Sequence, residues 1–457
     1  MAKSFKDLME SGETAYDEDR YADALTDFEA ALKVSKEHHQ RSKALDRMAN
    51  ACYRLKDDKR AIALVDQAID AAFPVADNDN ASAIALARAW YDKRGMMAQI
   101  DRGPAAFGPL DLLIDRFADA ATADPTRDHD ELRYIVVLAM NLKASGLRNL
   151  KRPREAIACY DDMIRRFASV TDVPVENVLS AAMLDRAWLL GDLGRQDEEI
   201  AAYDTLVSRY GESHLLEISH TIIDALTGKH RCLRDREEFE KAAEVCDEIT
   251  RRYFIDPGEG IAERVARTMI RRGNYFNKLG RTADELAAYD QVSETYGHFN
   301  DPEVQVHVAK SLMFKAVSLG DADQVAGEMQ CYDEVLSRYA DDPHDEIRAV
   351  AADALIHKGM SLGAIAEDAA SDTGVREIEA EIACYDEAIR RYSGDESILL
   401  QRAIAEAMLH KAEAMLDGGR SGEATQCLDR LITVYAANED EELAEAVKEA
   451  RALKADI

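Results

Sequence analysis

No stretch of about 18 consecutive apolar residues occurs in the chain, so no segment of it reads as a membrane-crossing helix. Proline is scarce, nine in 457 residues, and little interrupts a helical pattern. The seven cysteines are odd in number, widely spaced and without a C-x-x-C pair, which removes the usual signs of a disulfide framework, a zinc site or redox work. Positive charge is in deficit: 57 Lys and Arg face 88 Asp and Glu, for a net charge of -31. Such a chain has no general affinity for phosphate backbones or anionic lipid. There is no phosphate-binding glycine loop, no glycine-flanked nucleophile and no H-E-x-x-H. The eleven histidines lack metal-ligand spacing. Among them His357 and His410 are expected to face the same way in consecutive units, as surface or packing residues. No catalytic residue, metal or cofactor is therefore expected. The first residues carry charges where a signal peptide needs an apolar core, so the chain reads as soluble and cytoplasmic.

What the chain has in abundance is one phrase. "EIACYDEAIRRY" at 381 is matched by "AIACYDDMIRRF" at 156, "EIAAYDTLVSRY" at 199, "ELAAYDQVSETY" at 285 and "EMQCYDEVLSRY" at 328. The anchors Tyr160, Tyr203, Cys246, Tyr289 and Tyr332 follow one another at intervals of 43 residues. Tyr385 arrives ten residues late, Leu428 restores the interval, and looser copies are anchored at Phe28, Val65 and Leu110. Apolar residues three before and three after the anchor define one helical face, and an aromatic seven residues on, as at Tyr296 and Tyr392, extends it by two turns. Breakers such as "NDP" at 300 and "DDP" at 341 then close each copy. The pattern predicts an all-α array of about ten helix pairs over 1–438 with a closing helix over 439–457. A repeat array also lets 457 residues fold without a single large core, because each unit buries surface against its neighbours.

An acid follows the anchor in every copy, nine times as aspartate, from Asp66 to Asp429. Catalysis needs one site rather than ten, so the acid is structural. Arginine recurs five residues later, at Arg116, Arg166, Arg209, Arg252, Arg338 and Arg391. Either an aspartate-to-arginine ladder between adjacent units or a solvated helix edge accounts for the two columns. Cys159, Cys331, Cys384 and Cys427 stand directly before the anchor position, as small buried thiols in a reduced compartment would.

Sixteen residues before the anchor stand Gly12, Ala49, Ala144, Ala187, Gly273, Ala316 and Ala412, and four before it Ala24, Ala61, Ala106, Ala156, Ala242 and Ala424. With the "LGR" turns at Gly194 and Gly280 these places resemble the tetratricopeptide repeat, whose paired helices pack closely at small residues. The resemblance spans nearly the whole chain and implies a right-handed α-solenoid. The chain departs from the family in period, 43 residues against 34, and armadillo or HEAT arrays match its length. It departs also in Glu199, Glu285, Glu328 and Glu381, which replace the alanine, and in His230 at a small-residue place.

The resemblance further implies that the first helix of each pair lines a concave groove that binds partner segments. That face carries Lys43, Arg47, Asn50 and Arg54 in the second unit and Arg267, Arg271, Asn274 and Lys278 in the seventh. Steps of four, three and four put each set on one stripe. Arg231, Arg234 and Lys310 from neighbouring units are expected beside the second stripe. The group is similar to the carboxylate clamp of some tetratricopeptide domains, and Arg267 and Arg271 match the clamp's last helix. Leu184, Trp188 and Gly228 stand where its earlier helices supply lysine and asparagine, so carboxylates or phosphates in another arrangement are expected. Neutralisation of glutamates across the groove, or packing of the arginine stems, is the structural alternative. The basic turn "RNLKRPR" at 148–154 reads as a solvated loop or an anion contact. The ten-residue insertion within 363–380 reads as a loop on one face. The function these residues imply is a noncatalytic scaffold, adaptor or sensor holding a segment of a partner protein, with an acidic segment as the expected kind. Self-assembly through the array's ends and small-anion binding are the alternatives. The alanine content and the excess of arginine over lysine point to a bacterial, GC-rich source.

Overall fold

The computed structural model describes residues 3–100, 107–123, 130–253, 260–368 and 371–457. These residues form 21 helices and, among them, no strand. The first pairs are α1 (Phe5–Asp17) with α2 (Tyr21–Val34), α3 (His38–Arg54) with α4 (Asp58–Ala72), and α5 (Asn80–Ile100) with α6 (Gly108–Ala123). Next come α7 (Asp130–Asn149) with α8 (Pro153–Arg166), α9 (Val173–Asp192) with α10 (Gln196–Tyr210), and α11 (Leu216–Asp235) with α12 (Phe239–Tyr253). Then follow α13 (Ile261–Lys278) with α14 (Thr282–Tyr296), α15 (Pro302–Asp321) with α16 (Val325–Tyr339), and α17 (Asp345–Asp368) with α18 (Ser371–Tyr392). The last pair is α19 (Ile398–Asp417) with α20 (Ser421–Tyr435), and α21 (Glu441–Ala455) stands alone. The chain divides into two compact units, Met1–Cys232 and Leu233–Ile457. No helix among the described residues is long and apolar enough to cross a membrane.

Within eight of the pairs, those whose turns are described, the chain reverses through one left-handed residue. Gly194, Gly280 and Gly419 take this conformation at φ of 68 to 72°, and Asp19, Lys56, Lys151, Glu237 and Asp323 take it at 55 to 66°. The residue after it donates its N–H to a carbonyl five residues back, as Arg195 does to Leu190 O and Gln324 to Leu319 O. Carbonyls left over at the helix end are thereby satisfied.

The anchor ring joins the helices. Gly12 and Gly273 lie so close to the rings of Phe28 and Tyr289 that a Cβ would stand 2.5 and 2.4 Å from them. Both rings are buried. The other face of the ring meets the next first helix: Tyr289 stacks with Phe314 at 5.9 Å, Tyr332 with His357 at 6.5 Å and Tyr385 with His410 at 6.0 Å. The glutamates that replace alanine serve the same ring. Glu199, Glu285 and Glu328 are buried; Glu199 and Glu328 accept the phenol hydrogens of Tyr203 and Tyr332 at 2.8 and 3.3 Å, and Glu285 lies 3.4 Å from the Tyr289 hydroxyl. Ser318 and Ser361 on the following first helices donate to Glu285 and Glu328. Gly191 and Gly320 leave room for the carboxylates of Glu199 and Glu328, while Asn277 donates to Glu285 at 3.1 Å. His230 is buried at its small-residue place.

The charged columns pair differently from either expectation. Each aspartate beside an anchor meets a cation on the following first helix rather than the arginine five residues on. The pairs are Asp161–Arg186, Asp204–Lys229, Asp247–Arg272, Asp290–Lys315, Asp333–Lys358, Asp386–Lys411 and Asp429–Lys454, the first six at 2.5 to 2.6 Å. Five residues on, Arg116, Arg209 and Arg338 instead donate to Phe73 O, Phe167 O and Gly297 O at the end of the preceding second helix. A guanidinium placed there meets the negative end of the helix dipole. The insertion also differs from its expectation as a loop. It is taken up as helix, giving α17 24 residues and α18 22, against 20 and 15 in α15 and α16.

Replacement of Tyr289 by Ala is expected to cost about 3 to 5 kcal/mol, the loss of a large ring from a core. Replacement of Gly273 by Ala should cost about 1 to 3 kcal/mol, because the buried ring has nowhere to move. Thermal or urea unfolding measures both, and unchanged melting in either variant would contradict the packing described.

Candidate functional site: the first-helix face

The sequence-predicted cations fall into two groups that the two compact units treat differently. In the first unit α3 presents Lys43, Arg47, Asn50 and Arg54, and every one of them meets a neighbour. Lys43 and Arg47 lie 3.4 and 3.6 Å from Glu13, and Asn50 donates to Asp92 at 2.9 Å. Arg54 donates to Tyr21, lies over its ring at 4.9 Å and stands 3.5 Å from Asp19. A cavity of 420 Å³ opens beside them, lined among others by Asp46, Arg88 and Glu131, and Arg88 pairs with Glu131. Burial, then Asp92, holds the Asp46 carboxyl well above the usual carboxylate range. The basic turn is likewise paired: Arg148 meets Asp185 at 2.7 Å and Arg152 meets Glu155 at 2.6 Å.

In the second unit the arginines of α13 crowd one another. Burial, then Arg267, and also Arg234, push the Arg271 guanidinium below the usual arginine range. Three positive groups therefore share one neighbourhood despite the carboxylates nearby, Glu263 at 3.3 Å from Arg267 and Asp235 at 2.7 Å from Arg234. His307 of α15 completes the contact with Glu263 at 2.8 Å, and Lys310, exposed on the same helix, acts electrostatically on it. Asn274 is less available than its place on the stripe suggests, because its Oδ1 accepts the Tyr289 phenol at 2.7 Å. Lys278 is the exposed last residue of α13. Arg231 belongs to the first unit, which ends at Cys232.

Further along the second unit the face changes character. Phe314, Val317 and Met360 are 40, 38 and 42% exposed, although each is a large apolar side chain. Beyond them stand Asp353, Glu406 and Glu413. Burial, then Glu406, pushes Asp353 up to about 6. His410 lies 3.8 Å from Glu406 and 3.1 Å from Glu413, and the two carboxylates raise it to about 9. A cavity of 360 Å³ beside it is lined by Glu406, Leu409, Glu413, Glu442, Glu445 and Glu449, among others. These apolar and acidic positions escaped the sequence analysis, which looked for positive charge. They were accessible to it by reading the places of Arg267, Arg271 and Asn274 forward through the later copies. Among the described residues no group of three or more His, Cys, Asp or Glu is placed to hold a metal.

Residues 181–213, the meeting of α9 and α10, match the tetratricopeptide repeat family model. A comparison with curated proteins finds no match. Among solved structures the chain is similar to the yeast Tom70, at 11% identity and a TM-score of 0.35 over 99% of this chain and 96% of that one. The apo form of RapI is similar at 10% identity and 0.40, over 84% of this chain and 96% of that one. BtubC from P. vanneervenii is similar at 14% identity and 0.34, over 51% of this chain and 95% of that one.

The His410 shift has a definite sign. Its folded value lies above the ordinary 6.5, so the pairing stabilises the fold fully below about pH 6.5 and loses that contribution as pH rises through 9. A His410→Gln variant should differ from the parent in melting temperature at pH 6 and converge with it near pH 10. Titration of the His410 ring by NMR should give a midpoint near 9, and a midpoint near 6.5 would refute the pairing.

Proposed function

We propose that this chain, a tetratricopeptide-like repeat protein, is a noncatalytic interaction scaffold that holds a segment of a partner protein on the first-helix face of its second unit. The observation that carries this reading is the placing of Arg234, Arg267 and Arg271 in one neighbourhood of the first-helix face, in a chain of net charge -31. Mutual repulsion among guanidiniums is a cost that a bound carboxylate would remove, and arginine forks suit carboxylates in pairs. An acidic stretch of the partner is the occupant this chemistry favours, with Lys310 and Lys278 as further exposed contacts. In this reading the stripe of Lys43, Arg47, Asn50 and Arg54 is structural, since its members are engaged with Glu13, Asp92, Asp19 and Tyr21. Arg231 lies outside the site.

Reversal to Glu of Arg267, 42% exposed, together with the exposed Lys310 should abolish partner capture and leave the melting temperature nearly unchanged. Charge-assisted contacts to a desolvated anion contribute about 2 to 5 kcal/mol of binding, whereas partly exposed charges add little to folding. Capture by the parent should weaken as salt rises. The control is Lys241→Glu with Arg390→Glu, exposed positions of the second helices. A crosslinker at Lys278 should attach to the partner in the parent chain. Equal capture by both double mutants would remove the site.

A further inference from the structure

In the second unit α13, α15, α17, α19 and α21 lie side by side, each against the next. The repeat puts one residue of each first helix at equivalent places, and the places change chemistry in order. Arg267, Lys310, Asp353 and Glu406 form one row, and Arg271, Phe314, His357 and His410 form a second. Asn274, Val317, Met360 and Glu413 form the third. The rows are continuous in space as well as in sequence. Arg267 and Lys310 both act on His307, Lys310 acts on Asp353, and Glu406 acts on Asp353 and His357. In the second row Phe314, His357 and His410 each lie over an anchor ring. One surface therefore runs from basic at α13, through exposed Phe314, Val317 and Met360, to acidic at α19.

Resting on the reading that a segment docks on this face, we infer that its occupant is an extended peptide segment of ordered charge. It carries Asp or Glu against Arg267 and Arg271, apolar side chains against Phe314, Val317 and Met360, and Lys or Arg against Asp353, Glu406 and Glu413. Charge complementarity is the argument for this occupant. A uniformly acidic segment meets repulsion from Asp353, Glu406 and Glu413, three carboxylates against the one protonated ring of His410, and a uniformly basic one meets it at Arg267 and Arg271. Three exposed apolar residues between the two ends gain by burial only if the segment is apolar there. Neighbouring helix axes lie about 8 to 10 Å apart, so α13 to α19 spans roughly 24 to 30 Å. An extended chain rises about 3.3 Å per residue, which makes the segment roughly seven to nine residues long. Opposed charges at its ends also fix its direction on the face, since a segment docked backwards pairs like with like.

The experiment uses the full chain and labelled nonapeptides read by fluorescence anisotropy. One peptide has three Glu, three Leu-rich central residues and three Lys, and a second has the same order read from the other terminus. A third has the same composition with the charges alternating. One of the ordered peptides should bind at least about tenfold tighter than the alternating one. Glu406→Lys with Glu413→Lys should weaken it at least about tenfold, and a peptide with Glu at both ends should recover binding to that variant. Equal binding of ordered and alternating peptides, or no recovery, overturns the ordered-charge inference. If no peptide binds while the crosslinker at Lys278 still attaches to the partner, the inference fails and the docking face stands. If the crosslink is absent too, both fail.

Discussion

The joints at Phe28, Tyr289 and Tyr385 depend on a buried ring laid against a position with no side chain. Phe28 on Gly12, Tyr289 on Gly273 and Tyr385 on Gly359 share that contact, with a Cβ-to-ring approach no alanine could accept unchanged. Because the ring's far face takes a residue of the following first helix, one side chain holds three helices. Neighbouring pairs are therefore not independent, as expected of an array whose stability comes from its interfaces. The phenol adds a requirement. A buried hydroxyl left without a partner costs about 1 to 3 kcal/mol, and Glu199 and Glu328, with Asn274 for Tyr289, supply the acceptor. The carboxylates themselves are kept by serine, asparagine or a neighbouring glycine that makes room.

The helices, the pairing and the buried face were legible in the sequence because each is written in local periodicity. Tyr289 and Tyr296 lie seven residues apart on one face, and both are buried. The small residues at 12 and 273 were legible too, since a ring needs somewhere close to lie. The partners of the aspartates were not. Asp333 sits five residues from Arg338 and 25 from Lys358, and only the packing of one pair on the next reveals that it is the distant lysine that it meets. The glutamates looked like departures from a pattern until their burial and their tyrosine donors were visible. Of the candidate site, the density of positive charge around Arg271 was legible. The engagement of Asn274 by Tyr289 and of Lys43 by Glu13 was not, because both depend on which neighbour a side chain meets.

The distribution of charge follows from the same frame. Acids beside the anchors are neutralised by the next first helix, and arginines five residues on are turned to the ends of preceding helices. Such pairs contribute little individually, yet they take most regular charge out of play at the joints. What remains on the first-helix face is irregular, and irregularity in an otherwise copied structure is where recognition can be specified.

The lengthened pair α17 and α18 shows what the joints permit. Asp333–Lys358 and Tyr332 over His357 hold on one side of it, and Asp386–Lys411 and Tyr385 over His410 hold on the other. Ten additional residues thus disturb neither neighbour, because the helices grow away from the contacts that set their spacing. Hairpin length and copy number are separate degrees of freedom in this architecture. One hairpin of the array is longer than its neighbours while the order of residues along the first helices stays in register.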